Sequence, residues 1–173
     1  MNRTKRIHVR GYSATDRRFL EQGLDHILTE KASSAPAHEI RPDKTWGRAY
    51  ATSLLSFVRR SKGVGLIVEV DQVRAGFAFG APDIGIPSWM LRSGRFSRRG
   101  SLLEVHVLPQ FRRLGLASLL VTGIERHLRR SGCDLVIASY HQGHRFEANL
   151  YRSCGYSVNS VSMAKWLAKP PRE

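Results

Sequence analysis

The stretch Val107-Leu-Pro-Gln-Phe-Arg-Arg-Leu-Gly-Leu-Ala117 joins the end of an extended segment to the start of a long amphipathic helix through a turn of small residues. Pro109 ends the extended segment because its ring removes a backbone donor from the sheet. Beyond the turn, the apolar residues recur at the spacing of one helical stripe, as Leu116, Leu119, Leu120, Ile124 and Leu128. A strand, a tight turn and a helix in this order are typical of phosphate-binding architecture.

The turn from Arg112 to Ala117 is suited to an anion. The first backbone N–H groups of a helix lack intrahelical partners and lie at the positive end of its dipole, so they can hold a pyrophosphate. Gly115 and Ala117 carry little or no side chain, which lets an anion approach that backbone closely. The turn lacks the Gly-Lys-Ser/Thr of a nucleotide P-loop and the three glycines of a dinucleotide fingerprint, so ATP and NAD are disfavoured. An ordinary helix entry is the alternative interpretation.

The segment before the turn, Leu102 to Val107, has the alternation of a half-buried strand. Period-two spacing places Leu103, Val105 and Val107 on one face and Glu104 and His106 on the other. The strand therefore predicts an apolar face that packs on a helix and a polar face that is available for chemistry.

Hydropathy and turn residues predict an alternation of strands and helices along the rest of the chain. Ser13-Ala-Thr-Asp16 resembles a capping box for a first helix, Thr45 caps a second one, and residues 31–44 form a loop between them. The remaining predicted strands are residues 7–10, 64–70, 73–79, 135–138 and 158–166.

Composition predicts one cytoplasmic domain over residues 1–173. The hydrophobic fraction of 42% is that of a globular protein, and no apolar run approaches the length that spans a bilayer. The two cysteines, Cys133 and Cys154, have no paired spacing, so neither a disulfide framework nor a metal site is predicted. The net charge of +14 permits a nucleic-acid partner, but the basic residues are scattered and form no recognisable binding motif. We therefore do not favour that partner.

Two motifs resemble those of the GNAT superfamily of N-acetyltransferases. Arg112 to Ala117, preceded by Val-x-Pro at Val107 to Pro109, is similar to the family's acetyl-CoA loop, and Leu150 to Tyr156 is similar to its Leu-Tyr-x-x-x-Gly-Phe/Tyr segment. The resemblance implies an α/β fold, a single GNAT-like domain whose mixed central sheet is flanked by helices. It also implies an acyltransferase with acetyl-CoA as cosubstrate, acting on a primary amine of a small molecule or a protein.

The resemblance further implies which residues hold the coenzyme. The pyrophosphate would bind the turn and the helix start, and the thioester carbonyl would bind backbone N–H groups of the preceding strand. His144 replaces the asparagine that many family members use for the pantetheine arm, and Glu147 replaces the usual alanine. The implied coenzyme-binding residues are Val105, His106, Val107, Arg112, Arg113, Leu114, Gly115, Leu116, Ala117, Ser118 and His144.

Acetyl transfer needs an acid for the leaving thiolate and a base for the amine. By resemblance Tyr151 is the acid. Glu104 is the predicted base because a partly buried carboxylate can accept a proton, directly or through water, with His106 and His141 as alternatives. Two other functions stay open: an enzyme that acetylates aminoacyl-tRNA in the manner of a toxin, and a silent module that binds CoA or nucleic acid. The amine acceptor is not identified, and a homodimer is also left open.

The segment from Ala81 to Gly100 is long for a connection between strands and carries Trp89 with several arginines. Long loops in compact domains are often functional. We expect either a solvated surface loop or a lid over the acceptor, in which the arginines recognise a carboxylate or a phosphate.

Overall fold

In the computed structural model, residues 5–34, 46–83, 98–140 and 145–161 are described. Five strands form one sheet in the order β1-β2-β3-β4-β5. The first four are antiparallel neighbours and β5 runs parallel to β4, so the predicted mixed sheet is confirmed. The strands are β1 (Ile7–Gly11), β2 (Val64–Val70), β3 (Val73–Pro82), β4 (Arg99–Val107) and β5 (Leu135–Ala138).

Four α-helices flank this sheet within the described residues. Ser13 and Asp16 begin the first of them as predicted, since the Ser13 backbone N–H donates to the Asp16 carboxylate at 2.9 Å. A short 3-10 turn at Ala14–Asp16 leads into that helix. The helices are α1 (Arg17–Ser34), α2 (Trp46–Arg60), α3 (Leu116–Arg130) and α4 (Arg145–Ser153).

The sheet separates two hydrophobic clusters. Helices α1 and α2 cover one face, where Leu20, Leu24 and Leu54 pack against Phe77 of β3. Helix α3 covers the other face with the predicted stripe, of which Leu116, Leu120, Ile124 and Leu128 are buried. The fifth predicted residue, Leu119, is 46% exposed and lies at the margin of that stripe. Helix α4 joins the second cluster through Tyr151.

Several predicted boundaries are wrong. The first helix continues through Ser34, beyond the predicted loop start at Lys31. Strand β3 extends to Pro82 and β4 begins at Arg99, because the two pair with each other over that length. Most of the predicted loop, residues 84–97 with Trp89, lies outside the described residues, as does Thr45. Residues 158–161 of the predicted last strand are not extended into a strand, and its remainder is also outside the described part.

A β-bulge in β4 corrects the predicted faces of that strand. Phe79 pairs with Glu104 but the adjacent Gly80 pairs with Leu102, so Leu103 is an extra residue. Leu103 consequently packs on the α1 and α2 side, whereas Val105 and Val107 pack against α3. The prediction that all three share one face is wrong, because one inserted residue shifts the alternation.

No helix among the described residues is both long and apolar enough to cross a membrane.

Candidate active site

Strands β4 and β5 separate partway along their length. Their parallel pairing runs from Arg99 opposite Leu135 to Leu102 opposite Ala138. Strand β5 ends there, while β4 continues for five more residues to Val107. Within the described residues, this last part of β4 has a strand partner on the β3 side only.

The alternation of antiparallel hydrogen bonds shows which backbone groups face the open edge. Leu108 donates its N–H to the Ala75 carbonyl at 2.9 Å, and the register of β3 with β4 makes His106 and Glu104 the next hydrogen-bonded positions. The N–H and C=O groups of Val105 and Val107 therefore point away from β3, into the gap between β4 and β5. An extended ligand carrying amide groups could pair with this edge as an added strand would.

The turn after β4 brings the start of α3 to the same end of the sheet. Gly115 stands at the N-cap with φ 73° and Arg113 has φ 67°, both left-handed conformations that fold the chain tightly. Leu119 donates to the Gly115 carbonyl at 3.2 Å, so the N–H groups of Leu116, Ala117 and Ser118 belong to the first, unpaired turn of the helix. A helix start of this kind attracts a pyrophosphate.

Arg112, the first residue of the turn, is held by the protein itself. Its Nε donates to the Val107 carbonyl at 3.2 Å, and its Nη2 donates to Glu30 Oε1 of α1 at 2.7 Å. Arg113 is exposed and Leu114 packs against the α3 cluster. The side chain of Arg112 thus fixes the turn, and the backbone with Arg113 is what the turn presents to a ligand.

Glu104 is buried at the open end of β4, where it meets an aromatic wall. Tyr50 of α2 donates its hydroxyl to Glu104 Oε1 at 2.5 Å, and the Tyr50 ring lies 4.8 Å from that of Trp46. Burial, and then the negative charge of Glu104, raise the pKa of Tyr50 above its ordinary range, so this hydroxyl keeps its proton and continues to donate. The contact between Tyr50 and Glu104 joins residues 54 positions apart in the sequence.

His106 lies on the same face of β4 but points to α1. Its ring is 4% exposed and stands 5.2 Å from that of His26. Burial, followed by the proximity of His26, lowers the pKa of His106 to about 4, so the ring is neutral at pH 7. The His106 ring faces His26 of α1, whereas Glu104 faces Tyr50 of α2.

Tyr151 of α4 is 7% exposed and belongs to the α3 side of the sheet. Its ring lies 6.3 Å from that of Tyr140 and 5.7 Å from that of Tyr156. Burial, then the charges of Glu147 and Glu104, raise the pKa of Tyr151, which keeps the phenol protonated at neutral pH. Since the Glu104 charge contributes, the two predicted catalytic groups lie within electrostatic reach of each other.

Other residues named from the sequence are either engaged elsewhere or not described. Arg99 pairs with Asp83, and Arg98 donates to the Ser131 carbonyl at 2.7 Å, so both side chains are engaged with the protein where β4 begins. His141 and His144 lie outside the described residues.

The model of the acetyltransferase (GNAT) family matches residues 25–156. This range contains the open edge of β4, the turn before α3 and Tyr151. No curated protein sequence matches the chain significantly.

Solved structures share the fold at low sequence identity. A predicted acetyltransferase from Clostridium acetobutylicum, solved with acetyl-CoA, has a TM-score of 0.70 at 14% identity, covering 94% of this chain and 97% of that one. An aminoglycoside 6′-N-acetyltransferase from Acinetobacter haemolyticus has 0.65 at 15%, covering 93% and 99%. A ribosomal-protein-alanine N-acetyltransferase from Brucella melitensis has 0.62 at 16%, covering 94% and 100%.

Proposed function

The chain belongs to the acetyltransferase (GNAT) family, and we propose that it transfers the acetyl group of acetyl-CoA to a primary amine at the open edge of β4. One observation carries the proposal: the gap between β4 and β5 ends at the left-handed turn that starts α3. An extended pantetheine arm would pair with Val105 and Val107, and the pyrophosphate would sit on the backbone from Arg113 to Ser118.

Glu104 is the proposed base. The Glu104 side chain is buried, and the short hydrogen bond from the Tyr50 hydroxyl fixes its rotamer. Its carboxylate is therefore held in one position from which it can accept a proton. The amine proton would pass to Glu104 directly or through one water, and the amine nitrogen would then attack the thioester carbonyl. The N–H groups of Val105 and Val107 would stabilise the negative charge that develops on that carbonyl.

Tyr151 is the proposed acid. As the tetrahedral intermediate collapses, the carbon–sulfur bond breaks and the thiolate takes up a proton, which the phenol of Tyr151 supplies. The phenol of Tyr151 carries its proton across the neutral range, as a tyrosine ordinarily does, and burial raises its pKa further. The acid then regains a proton from solvent.

The acceptor is proposed as a small-molecule or protein amine that reaches Glu104 past Trp46 and Tyr50. Among structural neighbours, one acts on aminoglycosides and another on ribosomal-protein alanine. The net charge of +14 repels a polycation, so we favour an acceptor whose overall charge is neutral or negative. The cytoplasm is the proposed location, in keeping with two free cysteines, Cys133 and Cys154.

The test is acetyl-CoA turnover over a panel of amines, read by release of free thiol, with the Glu104→Gln variant measured on each substrate. The glutamine carbonyl still accepts the Tyr50 hydroxyl, so the fold is preserved while the base is lost. We expect kcat/KM to fall by about 100-fold or more near pH 7 and to recover partly at high pH, where the amine is already deprotonated. The matched control is Glu69→Gln, which removes a carboxylate of β2 that accepts a hydrogen bond from Arg10 of β1. This variant should retain activity.

A Glu104→Gln variant as active as the parent at pH 7 would contradict the assignment of the base. Absence of thiol release with every amine, together with absence of acetyl-CoA binding, would contradict the proposed function itself.

A further inference from the structure

A second cluster of polar side chains lies where α1 crosses the end of β4. His26 and Glu30 are one turn apart on α1, and His106 of β4 faces them. The helix approaches the sheet closely because Gly23 stands there: a Cβ at this position would lie 2.3 Å from Phe77 and 3.3 Å from the His106 ring. Any larger residue would push α1 outward and separate the two histidines.

Each of the two rings has one unsatisfied nitrogen. Within the described residues, neither His26 Nδ1 nor His106 Nε2 has a hydrogen-bond partner, although both atoms are buried. A buried polar atom without a protein partner is costly, and in native proteins a bound water or an ion is a common explanation for it. His106 is 4% exposed, so bulk water does not satisfy it.

Glu30 adds an oxygen to these two nitrogens. Its Oε1 accepts the hydrogen bond from Arg112, and its Oε2 lies 3.6 Å from His26 Nδ1, beyond hydrogen-bond distance. One ligand atom from each of His26, Glu30 and His106 lies within 4.8 Å of the others. Two imidazoles and a carboxylate are the donor set of three-ligand zinc sites, which keep a fourth position for water.

We propose that His26 Nδ1, His106 Nε2 and Glu30 Oε2 bind one divalent transition-metal ion of the Zn²⁺ type. Ligand atoms around tetrahedral zinc lie about 3.3 Å apart, so the three groups must close by up to about 1.5 Å. His26 and Glu30 can make that movement, because their side chains are 39% and 42% exposed. His106 is the fixed ligand, and the exposed side of α1 is the entry path.

The ion would tie α1 to β4 and act on the coenzyme turn through Glu30. Arg112 already donates a hydrogen bond to Oε1, the other oxygen of the Glu30 carboxylate. Hydrogen bonds of this kind, from residues that do not contact the metal, orient the ligands of metal sites. The same contact connects the ion to the first residue of the turn before α3. Its test reads metal binding directly and does not depend on acetyl-transfer activity.

The experiment uses the full chain without a polyhistidine tag, stripped with a chelator and titrated with Zn²⁺ against a chromogenic competitor. We expect one equivalent of Zn²⁺ to bind per chain and the thermal midpoint of unfolding to rise. Co²⁺ in its place should give the visible absorption bands of a low-coordinate Co²⁺ ion. His26→Ala and Glu30→Gln should each weaken Zn²⁺ binding by about 100-fold or more. The glutamine carbonyl still accepts from Arg112, so that variant removes the charged ligand and keeps the contact.

His8→Ala is the matched control, because His8 is an exposed histidine on β1 and its loss should leave binding unchanged. His26 and Glu30 are partly exposed, so the test does not depend on a buried His106 variant that fails to fold. Failure to bind one equivalent, binding that survives both His26→Ala and Glu30→Gln, or loss of the ion in His8→Ala would each overturn the proposal.

Discussion

Gly115 offers a test of the coenzyme turn in which stability and charge can be separated. The residue has φ 73°, and a Cβ added to it would meet no heavy atom within 4 Å. Gly115→Ala and Gly115→Glu therefore carry the same backbone cost, about 1 kcal/mol for a left-handed residue with a side chain. For a chain of this length that cost lowers the thermal midpoint by roughly 2–4 °C in both variants.

The two variants should differ in acetyl-CoA affinity, since only one places a negative charge at the pyrophosphate. At a separation of about 6 Å and an effective dielectric constant of about 40, repulsion is about 1.4 kcal/mol per unit charge. Two phosphate charges give about 2.8 kcal/mol, or roughly 100-fold in the dissociation constant of Gly115→Glu relative to Gly115→Ala. Because the turn is exposed, salt should reduce this ratio.

Isothermal titration with acetyl-CoA at low and at high ionic strength measures the ratio directly, with thermal unfolding of both variants as the control. Equal affinities at low salt, in variants with matching thermal midpoints, would refute the assignment of the turn as the pyrophosphate site. A ratio independent of salt would indicate bulk rather than charge as the cause.

Two further predictions concern Tyr151 and Asp16. Tyr151→Phe removes only the hydroxyl of the proposed acid, so kcat should fall by about tenfold or more. The affinity for acetyl-CoA, measured by titration, should be unchanged. Full turnover in this variant would mean that water protonates the thiolate. Hydrogen bonds from Arg10, and then from Ser13 and Arg74, hold the pKa of Asp16 well below its usual range, so its stabilisation is complete above the unfolded pKa of about 3.9 and is lost as pH falls below it. Asp16→Asn should cost about 2–4 kcal/mol in urea unfolding at pH 7 and about 1 kcal/mol less at pH 3, where the unfolded carboxyl is mostly protonated while the folded one keeps its charge; an equal cost at both pH values would contradict this origin.

The coenzyme side of the site could be predicted from sequence because its signals are local. The Pro109 stop, the small Gly115 and the stripe that follows all lie within about one helix length of one another, where propensity and periodicity operate. The matched family model includes this segment. Its roles in binding stay predictions, as does a homodimer.

The acceptor side could not be predicted, because its contacts join distant parts of the chain. Tyr50 reaches Glu104 across 54 positions, and Arg112 reaches Glu30 across 82. A pattern of residue types gives no sign of such pairs until the sheet register is known. His26 and Glu30 lie one turn apart on α1, and their spacing does not indicate that His106 faces them, which depends on Gly23 letting α1 approach β4.

The bulge at Leu103 connects the two sides of the site. Strand β4 pairs with β5 up to Leu102 and separates from it at the next residue, where the extra position bends the strand. The same insertion turns Glu104 towards Tyr50 while Val105 and Val107 keep their apolar side chains on α3. A strand with unbroken alternation would place Leu102 and Glu104 on the same face, so that either the leucine would leave the α3 core or the carboxylate would enter it. One extra residue thus opens the edge at which we propose that the coenzyme binds, and it directs the proposed base to the opposite face, where the acceptor would bind.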